Sequence, residues 1–228
     1  MLARVLLAMV LAGGERSAEG VQIAPAVVEI SPERPYADFR VGNLGSERRE
    51  VLTEVFSWTQ DARGRVSLAR TDAVSAYPPR VELAPGEERR FRLTVIARAP
   101  IRPSAYRIGV TVRDLATGEQ VTALVPAFVL PEHPTEVLAA YVDCVGASRC
   151  RVILENRGNV ALRPVRILLA LHRDGAQDIE GELEPWWVLP AETREWDVPV
   201  AASAAREVHV RVKLLAHDDV TAWASVRR

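Results

Sequence analysis

The sequence predicts an all-β protein made of two immunoglobulin-like β-sandwich domains in tandem. Short apolar segments of alternating pattern are separated by turn residues about every 8 to 12 positions, which is typical of β-sandwiches. Helical periodicity nowhere lasts longer than about two turns. The length of 228 residues suits two domains of ordinary size.

The charge balance argues against nucleic acid as a partner. The chain has 29 basic and 30 acidic residues, which gives a formal net charge of -1. Phosphate binding needs a clustered excess of Lys and Arg. Here the Arg residues are interleaved with Glu along the chain, which is typical of a solvated surface.

Residues 1–20 have the pattern of a cleavable signal peptide. Arg4 supplies a positive charge, and residues 5–12 (VLLAMVLA) form an apolar run that is too short for a spanning helix of about 20 residues. Ala18 and Gly20 are the small residues expected before a cleavage at Val21. A buried N-terminal helix is the alternative. We predict export of a mature chain that starts at Val21.

The first strand series is expected to end in a stiff linker at residues 131–134 (PEHP), because each proline restricts its own backbone and that of its predecessor. We therefore predict a first domain at 21–131. The double proline at 78–79 excludes a central strand there. The expected strands are residues 21–23, 27–30, 37–41, 50–58, 81–83, 90–96, 106–112 and 119–130.

A second series of strands defines a second domain at 132–228. Residues 162–171 could form a helix, but Pro164 and the β-branched residues that follow favour a strand. The expected strands are residues 136–144, 150–155, 165–172, 186–189, 193–199 and 207–216.

Two cysteines, Cys144 and Cys150, lie six positions apart on either side of the small residues 146–148. In an oxidising compartment this spacing favours a disulfide that closes a hairpin. A metal or redox role is less well supported, because the chain has neither a CxxC motif nor a histidine nearby.

Residue patterns typical of enzymes are absent from the sequence. The histidines at positions 133, 172, 209 and 217 do not have the spacing of a metal site or a catalytic triad, and there is no phosphate-binding glycine loop. We therefore expect no catalytic residue, no metal, no cofactor and no small-molecule substrate. Trp186, Trp187 and Trp196 could form a sugar platform, but Trp187 and Trp196 lie in apolar alternating segments, which favours core packing.

Several motifs together resemble the periplasmic pilus-assembly (PapD-like) chaperones. In the first domain they are residues 41–45 (VGNLG), 56–60 (FSWTQ), 77–79 (YPP), 83–86 (LAPG), 91–93 (FRL) and 126–131 (PAFVLP). In the second domain they are residues 156–159 (NRGN) and 188–190 (VLP), followed by Trp196. The resemblance covers nearly the whole mature chain.

This resemblance implies a periplasmic, boomerang-shaped chaperone that binds a pilus or surface-coat subunit, with an outer-membrane usher as a second expected partner. Members of the family complete an unfinished subunit sandwich with their own last strand of the first domain, a mode of recognition known as strand addition. By the same resemblance, the donor is residues 119–128, with Val121, Ala123, Val125 and Ala127 inserted. The simpler alternative is that these four residues pack inside their own domain.

Two positions depart from the family pattern. The family commonly holds the terminal carboxylate of the subunit with two basic side chains, and these positions correspond to Val27 and Pro126 in this sequence. Arg80, Arg107 and Arg113 are candidate replacements. The loss of both basic residues favours an alternative function, a secreted structural or adhesive module that does not donate a strand.

Overall fold

The computed structural model describes residues 16–18, 20–96, 104–145, 149–173, 178–200, 205–214 and 219–226. Every regular element in these ranges is a β-strand, which confirms the predicted all-β class. Within the same ranges, no helix has the length and apolar character needed to cross a membrane. The chain divides into two compact units, Met1–Trp58 with Ser67–Glu132 and Thr59–Val66 with His133–Arg228.

The first half of the chain forms a sandwich of two sheets. One sheet has the strand order β1-β2-β4-β9-β7, and the other has the order β3-β11-β10-β5-β6, with β8 also paired to β5. The strands are β1 (Arg16–Ala18), β2 (Val21–Ala24), β3 (Val28–Ile30), β4 (Tyr36–Asn43), β5 (Arg49–Gln60), β6 (Val66–Arg70), β7 (Val74–Tyr77), β8 (Arg80–Leu83), β9 (Glu88–Val95), β10 (Ser104–Asp114) and β11 (Gln120–Val129).

Alternating residues of these strands form the core of the first unit. Phe39 and Phe91 are fully buried, and their rings stack with centroids 5.2 Å apart. Val41, Leu93 and Ile108 are equally inaccessible and belong to the same cluster. Burial of large apolar side chains such as these stabilises the fold by about 1.5–3 kcal/mol each.

Two strands of the first unit, β6 and β7, were not predicted from the sequence. All five residues of β6 are exposed, so the strand lacks the alternation of apolar and polar residues that sequence patterns detect. β7 ends at Tyr77, directly before the prolines at 78–79, and pairs with β9. Pairing with a neighbouring strand, and not side-chain pattern, holds both segments in extended conformation.

The second half of the chain also forms two sheets. One has the order β12-β13-β16 and the other has the order β15-β14-β17-β18. The predicted strand over residues 165–172 is confirmed, so the helical alternative is wrong. The strands are β12 (Leu138–Val145), β13 (Arg149–Asn156), β14 (Arg166–His172), β15 (Ile179–Leu183), β16 (Thr193–Pro199), β17 (Glu207–Lys213) and β18 (Val220–Ser225).

The predicted strand at 186–189 is wrong. This segment makes only an isolated bridge, in which Val188 and Leu162 exchange backbone hydrogen bonds of 2.8 and 3.0 Å. Val188 is nevertheless fully buried, which explains its strand-like apolar pattern. Pro185 and Pro190 flank the segment, and proline cannot donate to a β-ladder.

A buried asparagine ends one strand in each unit and organises the loop that follows. Asn43 accepts the Gly45 N–H (3.1 Å) and donates to the carbonyl of Glu47 (2.8 Å). Asn156 accepts the Gly158 N–H (2.9 Å) and donates to the carbonyl of Val160 (2.7 Å). Both asparagines are 1% exposed, so these hydrogen bonds replace the hydrogen bonds to water that each side chain loses on burial. The motifs at 41–45 and 156–159 are thus structurally equivalent.

The N-terminal strand β1 lies within the predicted signal peptide. It pairs antiparallel with β2, in register Arg16↔Ile23 to Ala18↔Val21. Cleavage before Val21 would remove β1 and leave β2 as the edge of its sheet. Residues 1–15 and Glu19 lie outside the described residues, and cleavage itself stays a prediction.

The predicted disulfide is present between Cys144 and Cys150. The two residues are directly opposite each other on β12 and β13, and Cys150 is fully buried. The intervening residues 146–148 lie outside the described ranges. The bond therefore staples two antiparallel strands of the second unit.

Replacing both cysteines by alanine is expected to lower the free energy of unfolding by about 2 kcal/mol, because the unfolded chain loses a closed loop. Urea unfolding of the double variant measures this change. Wild-type protein unfolded under reducing conditions is the matched control and should show the same loss. Equal stability of all three samples would contradict a stabilising role for the bond.

Candidate strand-docking edge

The last strand of the first unit, β11, has one fully paired side and one mostly open side. It pairs antiparallel with β10 along its whole length, from Arg113↔Gln120 to Ser104↔Val129. On the other side β3 covers only residues 127–129, in parallel orientation. Among the described residues, no strand covers positions 120–126 on that side. We call this stretch the open edge.

Two hydrogen bonds show which backbone groups face the open edge. The Glu119 carbonyl accepts the Asp114 N–H (2.8 Å) on the β10 side, whereas the Leu130 N–H donates to the Ile30 carbonyl (2.8 Å) on the β3 side. Because successive residues of a strand direct their N–H and C=O to opposite sides, the even-numbered residues of β11 face away from β10. The open edge therefore presents the backbone N–H and C=O groups of Gln120, Thr122 and Leu124.

Pro126 limits the open edge at its downstream end. It has no N–H, and the parallel register Ala127↔Val28 directs its carbonyl to the N–H of Val28, so it offers no backbone group to a docked strand. Its position obeys the rule that proline in a sheet occurs where the missing N–H faces an unpaired side. The next residue, Ala127, is already opposite Val28 of β3. The edge thus offers three N–H and three C=O groups, those of Gln120, Thr122 and Leu124, over about 16 Å of strand.

The four predicted donor side chains differ in accessibility. Val121 is half-buried, and Ala123 is half-buried against the core of the first unit. Val125 and Ala127 are only 2% and 1% exposed and belong to that core. The upstream half of the strand therefore has side chains within reach of a partner. Insertion of these residues into a partner stays a proposal.

The hairpin before β11 is held in a fixed shape by Asp114. Its carboxylate accepts the N–H groups of Thr117 (3.0 Å) and Ala116 (2.8 Å), and these hydrogen bonds lower the pKa of the Asp114 carboxyl group. Because the pKa of Asp114 is lower in the folded chain than in the unfolded chain, its ionised carboxylate stabilises the fold at pH values above the unfolded pKa. This stabilisation is lost as the pH falls through the folded pKa. The upstream end of the open edge is therefore preorganised at neutral pH.

Val27 and Pro126, which stand where the chaperone family commonly has basic residues, lie where β3 meets β11. Pro126 is buried, and Val27 is half-buried directly before β3. The nearby candidate Arg107 is opposite Pro126 on β10, but it is only 4% exposed and its guanidinium lies 3.7 Å from the ring centre of Trp58. Access to a carboxylate from solvent is therefore restricted at this end of the edge.

The other two candidate arginines lie away from that end. Arg80 on β8 is ion-paired with the buried carboxylate of Glu50, with Nε 2.6 Å from Oε1. Arg113 is exposed and is opposite Gln120, at the upstream end of the open edge. Of the three candidates, Arg113 alone combines exposure with a place beside the edge.

The backbone groups of Gln120, Thr122 and Leu124 were not singled out from the sequence. They act through N–H and C=O groups that every residue carries, so side-chain chemistry gives no signal for them. Pro126 is the one available signal, because a proline inside a strand pattern indicates an edge. Which side of β11 lacks the N–H of Pro126 depends on the register between β11 and β10, and the sequence does not reveal that register.

Among known proteins, this chain matches solved structures but no family model and no curated sequence. The solved structures match over almost its whole length. A chain of the CsuC–CsuE chaperone–tip adhesion subunit pre-assembly complex, from the archaic chaperone-usher Csu pili of Acinetobacter baumannii, has a TM-score of 0.64 at 18% identity. The match covers 89% of this chain and 97% of that one.

The chain has the fold of the pilus chaperones. Escherichia coli chaperone DraB is similar with a TM-score of 0.58 at 16% identity, covering 91% of this chain and 96% of that one. The Salmonella enterica SafA pilin–SafB chaperone complex gives 0.54 at 13% identity, with coverages of 92% and 98%. The predicted PapD-like chaperone fold of two immunoglobulin-like domains is therefore confirmed.

Proposed function

We propose that this chain is a periplasmic chaperone that binds a pilus or surface-coat subunit through the open edge of β11. The observation that carries the proposal is the uncovered stretch 120–126 beside a fully paired β10. An uncovered strand edge is a template for pairing with another chain. The chaperone fold supports this function, because solved relatives of this fold include chaperones in complex with a tip adhesion subunit and with a pilin.

The energetics of the edge suit a reversible partner. Six backbone groups are available, and each hydrogen bond contributes about 1 kcal/mol net, so pairing supplies on the order of 6 kcal/mol before ordering costs. Side chains at Val121 and Ala123 add apolar contact on one face of the docked strand. The proposal includes delivery to an outer-membrane usher and export through the signal peptide at residues 1–20.

Ala123→Lys tests the proposed site, because it places a charge on the half-buried row that would face the partner. The chain is co-expressed in a Gram-negative host with tagged secreted subunits from neighbouring genes, and the recovered complex is quantified. We expect recovery to fall at least about tenfold, as expected for an unpaired charge in an interface. Ala69→Lys is the matched control, because Ala69 is exposed on β6, at the opposite edge of the same sheet.

Failure to recover any subunit with the wild-type chain, or equal recovery with both lysine variants, would contradict the proposed function. The alternative is then a secreted structural or adhesive module that does not donate a strand. The burial of Val125 and Ala127 in the core of their own unit is the observation that favours this alternative.

A further inference from the structure

A cluster of two histidines and two carboxylates lies on the outer face of the four-stranded sheet in the second unit. His172 ends β14 and is directly opposite Glu207 on β17. His209 lies two residues further along β17, on the same face of the sheet as Glu207. The two imidazole rings are in edge-to-face contact, with centroids 4.2 Å apart. The proposed chaperone function does not use this cluster.

Each imidazole is oriented by a carboxylate. His172 Nδ1 is 2.6 Å from Asp178 Oδ2, and His209 Nε2 is 3.0 Å from Glu207 Oε2. Asp178 is itself held by the backbone N–H of Arg173, 3.3 Å from its other oxygen. In each ring the second nitrogen makes no hydrogen bond within the described part of the chain. A carboxylate on one imidazole nitrogen, with the other nitrogen open, is the arrangement that orients histidine ligands of metal ions.

The surroundings favour a cation. Glu180 on β15 lies in the same row across the sheet as Ala170 and His209, so a third carboxylate faces the pair across a small side chain. In the next row Arg211 lies 3.9 Å from Asp219, and one row further Arg166 pairs with Glu182 (2.7 Å). Both histidine side chains remain about 40% exposed, so an ion can reach them from solvent.

We propose that His172 and His209 form a two-imidazole site for a divalent transition-metal ion, with Asp178 and Glu207 as orienting groups. The ligand nitrogens are Nε2 of His172 and Nδ1 of His209, and water completes the coordination. No group of three or more metal-binding side chains occurs in the described residues, so the site is open-sided. Imidazole ligands favour Cu²⁺ over Zn²⁺ in the usual order of affinities, and Mg²⁺ and Ca²⁺ should not bind.

Trp223 provides a built-in reporter of occupancy. It is directly opposite His209 on β18, its ring is 6.0 Å from the imidazole, and it is 63% exposed. Bound Cu²⁺ quenches the fluorescence of a nearby indole. The untagged protein is titrated with Cu²⁺ at neutral pH, and binding is followed by calorimetry and by tryptophan emission. We expect saturable binding of one ion with parallel quenching.

Three variants locate the ion. His172→Ala and His209→Ala are each expected to weaken binding at least about tenfold, and Trp223→Phe should keep the calorimetric affinity but lose most of the quenching. His133→Ala is the matched control and should bind like the wild type, because within the described ranges the hydrogen bond of His133 is made by its backbone carbonyl, which accepts from Asn159. Circular dichroism checks that the exposed substitutions leave the fold intact.

The inference is overturned if the wild type shows no saturable Cu²⁺ binding, or if either histidine variant binds as tightly as the wild type. Quenching that persists in Trp223→Phe would place the ion elsewhere and would overturn it as well. None of these outcomes depends on subunit binding, so this test and that of the proposed function can fail separately.

Discussion

Thr122→Pro is expected to weaken the binding of a subunit about thirtyfold while leaving the chain folded. The N–H of Thr122 faces the open edge, so proline removes a donor for the partner and none for β10. The strand already accommodates Pro126 at an equivalent even-numbered position, which indicates that proline is tolerated there. A docked carbonyl left without its donor costs about 2 kcal/mol, which corresponds to about thirtyfold in affinity.

The control for this variant is Thr122→Ala, which keeps the N–H and removes only the hydroxyl. That hydroxyl lies 2.8 Å from the Thr111 hydroxyl on an exposed surface, so its loss should change affinity less than about threefold. Affinity is measured by titrating purified chain with a peptide of the recovered subunit's pairing strand. Equal affinity of the proline variant and the wild type would show that the backbone of the open edge does not bind the partner.

Gly158→Ala is expected to destabilise the second unit by about 3 kcal/mol, at the upper end of the cost of overpacking. A Cβ at this position would overlap the backbone carbonyl of Thr135 and lie 2.9 Å from the backbone N of Val137. These atoms are fixed by hydrogen bonds to the same loop, from Arg157 N–H to the Val137 carbonyl (2.8 Å) and from Asn159 N–H to the Thr135 carbonyl (3.0 Å). The clash therefore cannot be relieved without breaking them.

Gly45→Ala is the matched control in the first unit, because Gly45 also follows a buried asparagine by two positions. The nearest atom to its added Cβ is the end of the flexible Arg49 side chain, at 2.9 Å. Because that side chain can move, the free energy of unfolding should fall by less than about 1 kcal/mol. Urea unfolding of both variants measures the difference. Similar losses at the two positions would contradict the proposed backbone clash.

The strands show how much of the fold the sequence predicts. Alternation of apolar residues located most strands, such as β5 and β9, because their inward side chains are buried in a core. Alternation failed for β6, which is exposed throughout, and misled at 186–189, where buried residues belong to a loop. An apolar pattern in the sequence indicates which side chains are buried. It indicates a paired strand only where the buried residues also belong to a strand.

The candidate edge was predicted in part. The sequence indicated β11 as the strand of interest and identified Val121, Ala123, Val125 and Ala127 as one face of it. The extent of the open edge depends on where β3 stops, and the outward-facing backbone groups depend on the register with β10. The histidine cluster was not foreseen, because His172 and His209 lie 37 positions apart and meet only through pairing of β14 with β17.

The sequence by itself determined the all-β class, the disulfide partners and the chaperone-like fold, because these follow from local pattern, spacing and ordered motifs. The tertiary structure alone decided which strand edge is uncovered, which donor side chains are buried, and which distant side chains meet. The physical reason is that backbone pairing between strands is nearly independent of side-chain identity, so pairing partners and register emerge only when whole sheets pack together.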